Sequence, residues 1–313
     1  MSACQARLSA PGPDQADVSA WQHFWSHAGA TRCVPDSQPA LSLTSSCWRE
    51  FARDVASGGR VLDLGTGRGY VLHEIGAERS DLVLVGVDAV RSLPLQHTGL
   101  HLRLGVSIEA LPFADDEFDA LCSQFGFEYS DVEAAAPEVA RVLRPGGKLR
   151  FLIHHAQGIV VRQSARRKAA LEWALDESGI LEKAAELVGS VESLSRATAA
   201  AWREATAHAR AQSRDPVAGE VAAAVRQLVL AGEEQWTLRF GRPLASLVHQ
   251  ARNELTILAA IERAAMDDPR IQRLLALLGS AGLETTQPRV LTLESDTPFG
   301  WLIEATKPIP DQC

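Results

Sequence analysis

The sequence has no long apolar run and no paired cysteines. Its longest apolar stretch, LVLVGVDAV, is the size of a strand and far short of the ~20 residues that a membrane-spanning helix requires. The five cysteines are scattered and include no C-x-x-C pair, which argues against a disulfide framework or a zinc site. The N-terminus lacks the basic start and apolar core of a secretory signal. We therefore expect a cytoplasmic protein with no membrane partner and no bound metal.

The sequence also lacks an excess of positive charge. It carries 31 Lys and Arg residues against 39 Asp and Glu residues, a formal net charge of -8. Binding to nucleic acid depends on neutralising phosphates, so this balance disfavours a nucleic-acid partner. The composition, 46% hydrophobic and 22% charged over 313 residues, is that of an ordinary globular protein with one large or two modest domains.

Four segments differ in their patterns. Residues 1–56 read as a leader followed by two helical pieces, which predicts an N-terminal helical lid. Residues 57–156 alternate nearly apolar strands with helices, which predicts an α/β core with a doubly wound, mostly parallel sheet. Residues 157–279 are rich in Ala, Leu, Glu and Arg and predict a helical insertion. Residues 280–313 contain two strands close in sequence, which predicts an antiparallel last pair that completes the sheet.

A glycine-rich turn between the first strand and its helix predicts a ligand site. Gly65, Gly67 and Gly69 follow Asp63, and a strand, such a turn and a helix N-terminus form nucleotide sites in many folds. The third glycine comes one residue early for a dinucleotide loop, and no Lys-Ser/Thr follows as in ATP- or GTP-binding loops. A purely structural turn is the alternative for the glycines taken alone.

Two aspartates narrow the choice of ligand. Asp63, at the end of the first strand, suits a positive group such as the amino end of a methionine moiety. Asp88 ends the second strand, where a carboxylate can accept both hydroxyls of a ribose. Together they indicate a nucleoside that carries an amino acid rather than a pyrophosphate.

Four segments in order resemble the motifs of the class I S-adenosylmethionine (SAM)-dependent methyltransferases. They are VLDLGTGRGYVLHEI, LVGVDAV, IEALPFADDEFDALCSQFGFEY and ARVLRPGGKLRFLI. The third is similar to the branch that includes the quinone-biosynthesis methyltransferases, the type 11 methyltransferases. The resemblance covers residues 57–155 and implies a Rossmann-like fold with SAM as cofactor.

The resemblance also implies which residues hold the cofactor. They are Asp63, Gly65, Thr66, Gly67, Gly69, Asp88, Ala89, Ser107, Ile108, Ser123 and Gln124. Asp63 and the glycine loop would hold the methionine end, Asp88 the ribose, and the last two the region of the sulfonium. Ser107 stands where the family usually has an aspartate for the adenine amino group, so the sequence departs from the family pattern at this position.

The ends of strands four and five hold the candidate catalytic residues. Glu128 and Tyr129 follow strand four, and His154 and His155 end strand five. A general base is needed only if the acceptor carries a proton that must leave. For the histidines, a role as satisfied strand-end side chains is an equal alternative.

The sequence gives the weakest indication for the residues that bind the acceptor. Trp21, Phe24 and Trp25 recur at near-helical spacing, either as packing or as a substrate platform. The segment 157–279 holds 16 Lys and Arg residues against 15 Asp and Glu residues, a near-neutral balance that suits a cover for a small acceptor. A dimerisation surface, and with it a homodimer, is the alternative.

These features predict a SAM-dependent methyltransferase that moves a methyl group to oxygen, nitrogen or carbon of a small-molecule acceptor by in-line displacement. One alternative is a SAM-binding protein of this fold with a regulatory or partner role. A second is a nucleic-acid methyltransferase, which the acidity and the absence of an N/D-P-P-Y/F signature after strand four disfavour.

Overall fold

The computed structural model describes residues 15–26, 37–94, 100–177, 241–293 and 296–310. The helices are α1 (Gln15–Ser26), α2 (Gln38–Arg53), α3 (Tyr70–Glu78), α4 (Val132–Val142), α5 (Ile159–Glu172), α6 (Gly241–Ala264) and α7 (Asp268–Ser280). The strands are β1 (Arg60–Leu64), β2 (Val83–Asp88), β3 (His101–Leu104), β4 (Phe118–Gln124), β5 (Leu143–His154), β6 (Glu284–Thr285), β7 (Arg289–Leu293) and β8 (Thr297–Thr306). The predicted leader and residues 178–240 of the predicted insertion lie outside the described residues.

Within the described part of the chain, one eight-stranded sheet runs in the order β3-β2-β1-β4-β5-β8, with β6 and β7 both paired to β8. Strands β1 to β5 pair in parallel, and α3 and α4 make the crossovers from β1 to β2 and from β4 to β5. Strand β8 runs antiparallel to β5 over Lys148–His154 and antiparallel to β6 and β7. The sheet confirms the predicted Rossmann-like α/β class with an antiparallel last pair.

The two faces of the sheet bury separate apolar clusters. Successive residues of a strand point to opposite faces, so Leu62 packs on the side of α4 and Val61 on the side of α2 and α3. On the second side, Trp48 of α2 is fully buried, which fixes this helix against the sheet. Burial on both faces explains why β1, β2 and β4 read as almost continuous apolar runs.

The C-terminal limit of the insertion differs from the predicted one. The described residues up to Val161 and from Ala260 onward form one compact unit, and those between Arg162 and Ala259 belong to a second. Helix α7, which the sequence assigns to the insertion, packs Ile271, Leu274 and Leu278 into the core beside α4. Its apolar face packs into the core beside the sheet. The sequence pattern predicts that a helix is present, but not the surface against which it packs.

The described part of the second unit consists of stretches of α5 and α6 and a short turn of π-helix at Trp173–Glu177. Ion pairs tie these stretches together, between Arg167 and Glu254 and between Arg252 and Asp176. In the portions of the chain that the structure describes, no helix is both long and apolar enough to cross a bilayer.

Candidate cofactor and acceptor site

A pocket opens at the carboxyl ends of β1, β2 and β4. Strand β1 lies between the other two, at the point where the strand order reverses, which is where open α/β sheets bind their ligands. Among the lining residues are eight of the residues assigned to the cofactor and one catalytic candidate: Asp63, Gly65, Thr66, Asp88, Ala89, Ser107, Ile108, Gln124 and Tyr129. The structure thus brings together most of the residues that the resemblance assigns to the cofactor.

Asp63 lies at the end of β1 with only 1% of its surface exposed. Its Oδ1 accepts a hydrogen bond from the Cys122 thiol, whose sulfur lies 3.7 Å away. Its Oδ2 is buried with no hydrogen bond of normal geometry from the described residues, although the adjacent Thr66 hydroxyl favours the ionised form. Burial dominates and raises the pKa of Asp63 to about 7. A ligand ammonium group beside Oδ2 would supply both the missing hydrogen bond and the opposite charge.

Asp88 joins the second strand to the glycine loop. Its Oδ2 accepts a hydrogen bond from the Gly67 N–H at 2.7 Å, and its Oδ1 accepts one from the Val90 N–H at 3.1 Å. Desolvation raises the pKa of Asp88, and these N–H donors oppose the rise. Each carboxylate oxygen can accept a second hydrogen bond. The side chain can therefore also receive the two hydroxyls of a ribose.

The glycines of the loop are required by contacts within the protein as well as by backbone conformation. Gly65, Gly67 and Gly69 all have positive φ, of 68°, 50° and 82°. A Cβ on Gly65 would lie 2.9 Å from the Gly126 Cα, and a Cβ on Gly67 would lie 2.6 Å from the Trp25 ring. Gly65 lines the pocket, and the other two glycines shape the turn behind it.

Glu109 lies in the segment where the sequence lacks the usual aspartate. Both Ser107 and Glu109 line the pocket, and the Ser107 hydroxyl donates a hydrogen bond to the Glu109 carboxylate. The other oxygen of that carboxylate accepts from the Asp131 N–H at 2.8 Å. The sequence pattern does not single out Glu109, because this residue lies two positions beyond the expected one. The presence of a carboxylate in this segment is the feature that could have indicated it.

Ser123 and Gln124 differ in their relation to the pocket. Ser123 is 1% exposed, donates to the Leu64 carbonyl at 2.7 Å and accepts from the Phe127 N–H at 2.9 Å, so its hydroxyl holds the end of β4. Gln124 lines the pocket, and its Oε1 accepts from the indole N–H of Trp48 at 2.6 Å. Of this pair, only Gln124 faces the space where the resemblance places the sulfonium.

Tyr129 is the only one of the four catalytic candidates among the lining residues of this pocket. Glu128 is 4% exposed; its Oε1 accepts from the His154 N–H at 2.8 Å, and its Oε2 is buried without a partner among the described residues. Burial raises the pKa of Glu128 to about 7. Burial lowers the pKa of His154 to about 3, so this imidazole is neutral, and its ring stacks on Phe125 at 4.1 Å. Phe125 in turn lines the pocket, so His154 lies one layer behind it.

His155 lies apart from the pocket lining. Its ring stacks on Trp301 at 4.8 Å, and its Nδ1 accepts from the Gln157 N–H at 3.0 Å. Partial burial lowers the pKa of His155 below its ordinary value. These contacts match the alternative in which a strand-end histidine is satisfied by its neighbours.

Helix α1 supplies a wall of the pocket through Asp17, Val18, Trp21 and Trp25. The Trp21 ring meets the Tyr129 ring edge to face at 5.5 Å and lies 6.4 Å from the Trp25 ring. Trp21 and Trp25 pack on each other and also face the pocket, whereas Phe24 is not among the lining residues. The spacing of four residues between the two tryptophans, one helical turn, is the sequence signal for this wall.

Comparisons with known proteins address the identity of this core. A family described as a methyltransferase domain matches residues 62–151. That span runs from β1 to β5 and includes Asp63, the glycine loop and Asp88. Residues 62–151 therefore carry a methyltransferase domain with the motifs of the class I SAM-dependent enzymes. The family resemblance of the four motifs is confirmed, and SAM is the cofactor of this family.

Individual relatives match about a third of the chain. A demethylmenaquinone methyltransferase of Thermus thermophilus is 37% identical over 113 residues, which cover 33% of this chain and 51% of the relative. An uncharacterized protein of Mycobacterium tuberculosis is 31% identical over 122 residues, which cover 36% of this chain and 44% of the relative. The chain thus spans about half the length of the curated relatives it matches.

Among solved structures, a SAM-dependent methyltransferase of Methanosarcina mazei aligns over 83% of this chain and 97% of its own at 16% identity, with a TM-score of 0.38. The fold assignment accordingly rests on the sheet order and the family match. The residues of the methyltransferase domain fit SAM, because Asp63 offers a buried, unsatisfied oxygen for the ammonium group and Asp88 a carboxylate for the ribose.

Proposed function

We propose that this protein transfers the methyl group of SAM to a small-molecule acceptor, on oxygen, nitrogen or carbon. The observation that carries the proposal is the shape of one continuous pocket. Asp63 and Asp88 lie at its cofactor end, and Trp21, Trp25 and Tyr129 form its aromatic wall. A pocket that extends past the cofactor residues to such a wall provides space for a second, apolar reactant.

SAM supplies an electrophilic methyl group on a sulfonium, and the protein has to hold an acceptor atom in line with it and exclude water. Asp63 would hold the methionine end of the cofactor and Asp88 its ribose, on the two sides of the sulfonium, which makes the region of Gln124 the proposed place of transfer. Helix α1 covers this region with Trp21 and Trp25, and thereby limits the access of water. Glu109 is proposed to receive the adenine amino group in place of the missing aspartate.

The charge of the lining favours an uncharged or cationic acceptor. Among the described residues that line the pocket, four are carboxylates and Arg68 is the one cationic side chain. A phosphate-rich acceptor would meet repulsion from these carboxylates, since like charges at short range in a partly desolvated pocket repel strongly. This arrangement supports a small apolar or basic acceptor over a nucleic acid.

Proton removal, where the acceptor requires it, is proposed to involve Tyr129 and Glu128. Tyr129 reaches the pocket and is placed to orient an acceptor hydroxyl or amine. Glu128, buried and with a pKa of about 7, is a suitable final proton acceptor near neutral pH. His154 stays neutral and contributes its backbone N–H to Glu128.

The test combines cofactor binding with turnover. Calorimetry with S-adenosylhomocysteine should show binding to the wild-type protein and a large loss in Asp88→Ala. Transfer from methyl-labelled SAM should then be measured on a panel of hydroquinones of the demethylmenaquinone type, phenols and amines, with RNA as a further acceptor. Labelled RNA would favour a nucleic-acid methyltransferase, and binding with no labelled product from this panel or a cell extract would favour the non-catalytic alternative.

A further inference from the structure

Arg68 is a buried cation inside the glycine loop, and its partner lies on helix α1. Only 4% of its surface is exposed, and its Nε and Nη2 donate to the Trp25 carbonyl at 3.1 and 2.7 Å. The Trp25 carbonyl is one of the last four carbonyl groups of α1. These groups accept no hydrogen bond within the helix and lie at the negative end of the helix dipole. A forked guanidinium on such a carbonyl is a charge-assisted, well-directed contact.

The same turn of α1 also touches the loop through its ring. The Trp25 indole lies against Gly67, where an added Cβ would come within 2.6 to 3.1 Å of three ring atoms. The N–H of Gly67 is bonded to Asp88. The loop therefore contacts the ribose-side carboxylate through its backbone and contacts α1 through both Gly67 and Arg68.

One turn earlier, α1 reaches the acceptor side. The Trp21 ring contacts Tyr129, the catalytic candidate that lines the pocket. The Gln22 side chain accepts from the N–H groups of Arg91 and Ser92 at 2.8 and 3.0 Å, which ties the same helix to the chain after β2. The position of the aromatic wall thus depends on how α1 is held.

We infer that Arg68 is a positioning residue that couples the cofactor loop to the acceptor-side wall formed by α1. This inference rests on the proposed function for the meaning of the two halves of the pocket. Arg68 holds the end of α1 on the loop, and α1 in turn presents Trp21 to the acceptor opposite Tyr129. Binding of the cofactor beneath α1 and ordering of the aromatic wall are then linked, so that each favours the other.

Hydrogen exchange of the full chain tests this coupling without an acceptor. Arg68→Gln should speed exchange of the α1 amides about tenfold or more, the size expected for a lost charge-assisted bond, and leave β1 and β4 unchanged. Arg68→Lys should restore part of the protection, since it keeps the charge near the helix C-terminus. Arg53→Gln is the matched control, because Arg53 is exposed and pairs with Glu78 away from α1.

S-adenosylhomocysteine is the probe for the link to the cofactor. Its addition should slow exchange of α1 in the wild type and in Arg53→Gln, and do so much less in Arg68→Gln. The inference would be overturned if α1 exchanged in Arg68→Gln as it does in the wild type. It would also be overturned if the probe protected α1 equally in the wild type and in Arg68→Gln. A rise across the whole sheet in both Arg68 variants would also overturn it, by assigning Arg68 to global folding. Failure of the probe to bind the wild type would instead contradict the proposed function, and α1 exchange in the free proteins would still decide the role of Arg68.

Discussion

Replacing Asp63 with asparagine should stabilise the ligand-free protein above neutral pH and at the same time weaken cofactor binding. Asp63 is 1% exposed, and its pKa rises from an ordinary value of 3.8 to about 7 because burial penalises the charged form. One pKa unit corresponds to about 1.36 kcal/mol, so this rise corresponds to about 4 kcal/mol of unfavourable free energy when Asp63 is ionised in the folded protein. Asparagine has nearly the same shape and no charge, so it avoids this cost.

The sign of the pH dependence follows from the raised pKa. Between pH 4 and 7 the folded state binds more protons at Asp63 than the unfolded state, so the free energy of unfolding falls as pH rises through this window. The contribution is fully present below pH 4 and is lost by about pH 8. We therefore expect the wild type to lose about 2–3 kcal/mol relative to Asp63→Asn between pH 5 and pH 8.

The net gain at pH 8 should be smaller than the full cost of the charge. An asparagine at this position would bury an amide N–H₂ with few acceptors nearby, which costs about 1–3 kcal/mol. Asp63→Asn should thus be more stable than the wild type by roughly 1–3 kcal/mol at pH 8, the balance of the two effects. Urea unfolding at pH 5 and pH 8, followed by far-UV circular dichroism, measures the difference.

Binding should change in the opposite direction. The ionised carboxylate is proposed to receive the ammonium group of SAM, so Asp63→Asn should bind S-adenosylhomocysteine at least about tenfold more weakly by calorimetry at pH 8, a loss of about 1.4 kcal/mol. A variant that is less stable than the wild type at pH 8 would refute the argument from burial. A variant that binds the probe equally well would refute the role given to Asp63.

Three further predictions concern neighbouring positions. Asp88→Ala should weaken S-adenosylhomocysteine binding by about thirtyfold or more, measured by calorimetry, because it removes the ribose acceptor and the partner of the Gly67 N–H. Gly67→Ala should lower the free energy of unfolding, measured in urea, by about 1–2 kcal/mol more than Gly105→Ala. Both glycines have positive φ, but only Gly67 would place its Cβ against Trp25, whereas nothing lies within 4 Å of a Cβ at Gly105. If Glu128 accepts a proton, the turnover rate should rise with pH through about 7 in the wild type and be flat there in Glu128→Gln; parallel profiles would contradict the role.

Much of the core could be predicted from the sequence because its signals are local. Strands β1 and β2 are short apolar runs that carry an aspartate at or near their ends, and the antiparallel β7–β8 pair follows from two strands close in sequence. The proposed cofactor residues Asp63 and Asp88 follow from the same logic, since each lies at the end of a strand beside the glycine loop. Such features can be predicted from the sequence because the same few neighbouring residues determine both the secondary structure and the chemistry.

The remainder depended on contacts between distant parts of the chain. Helix α7 has the same helical pattern as the insertion, and only the packing of residues such as Leu274 assigns it to the sheet. Strand β6, with two residues, is too short to give a periodic signal. The burial of Ser123 against β1 likewise follows from sheet register, in which Leu62 lies opposite Leu121. Such features are set by tertiary packing, which no local pattern encodes.

The glycine loop depends both on its local sequence motif and on contacts with distant parts of the chain. The motif predicts that a ligand approaches the backbone, yet Gly67 is closed on one side by Trp25, about forty residues earlier in the chain. Its N–H is held by Asp88, and the next residue, Arg68, donates to the carbonyl of the same tryptophan. The loop that is proposed to bind the donor therefore also holds the helix that is proposed to face the acceptor. Changes in α1 should for this reason alter cofactor affinity as well as acceptor choice, even where they touch no atom of SAM.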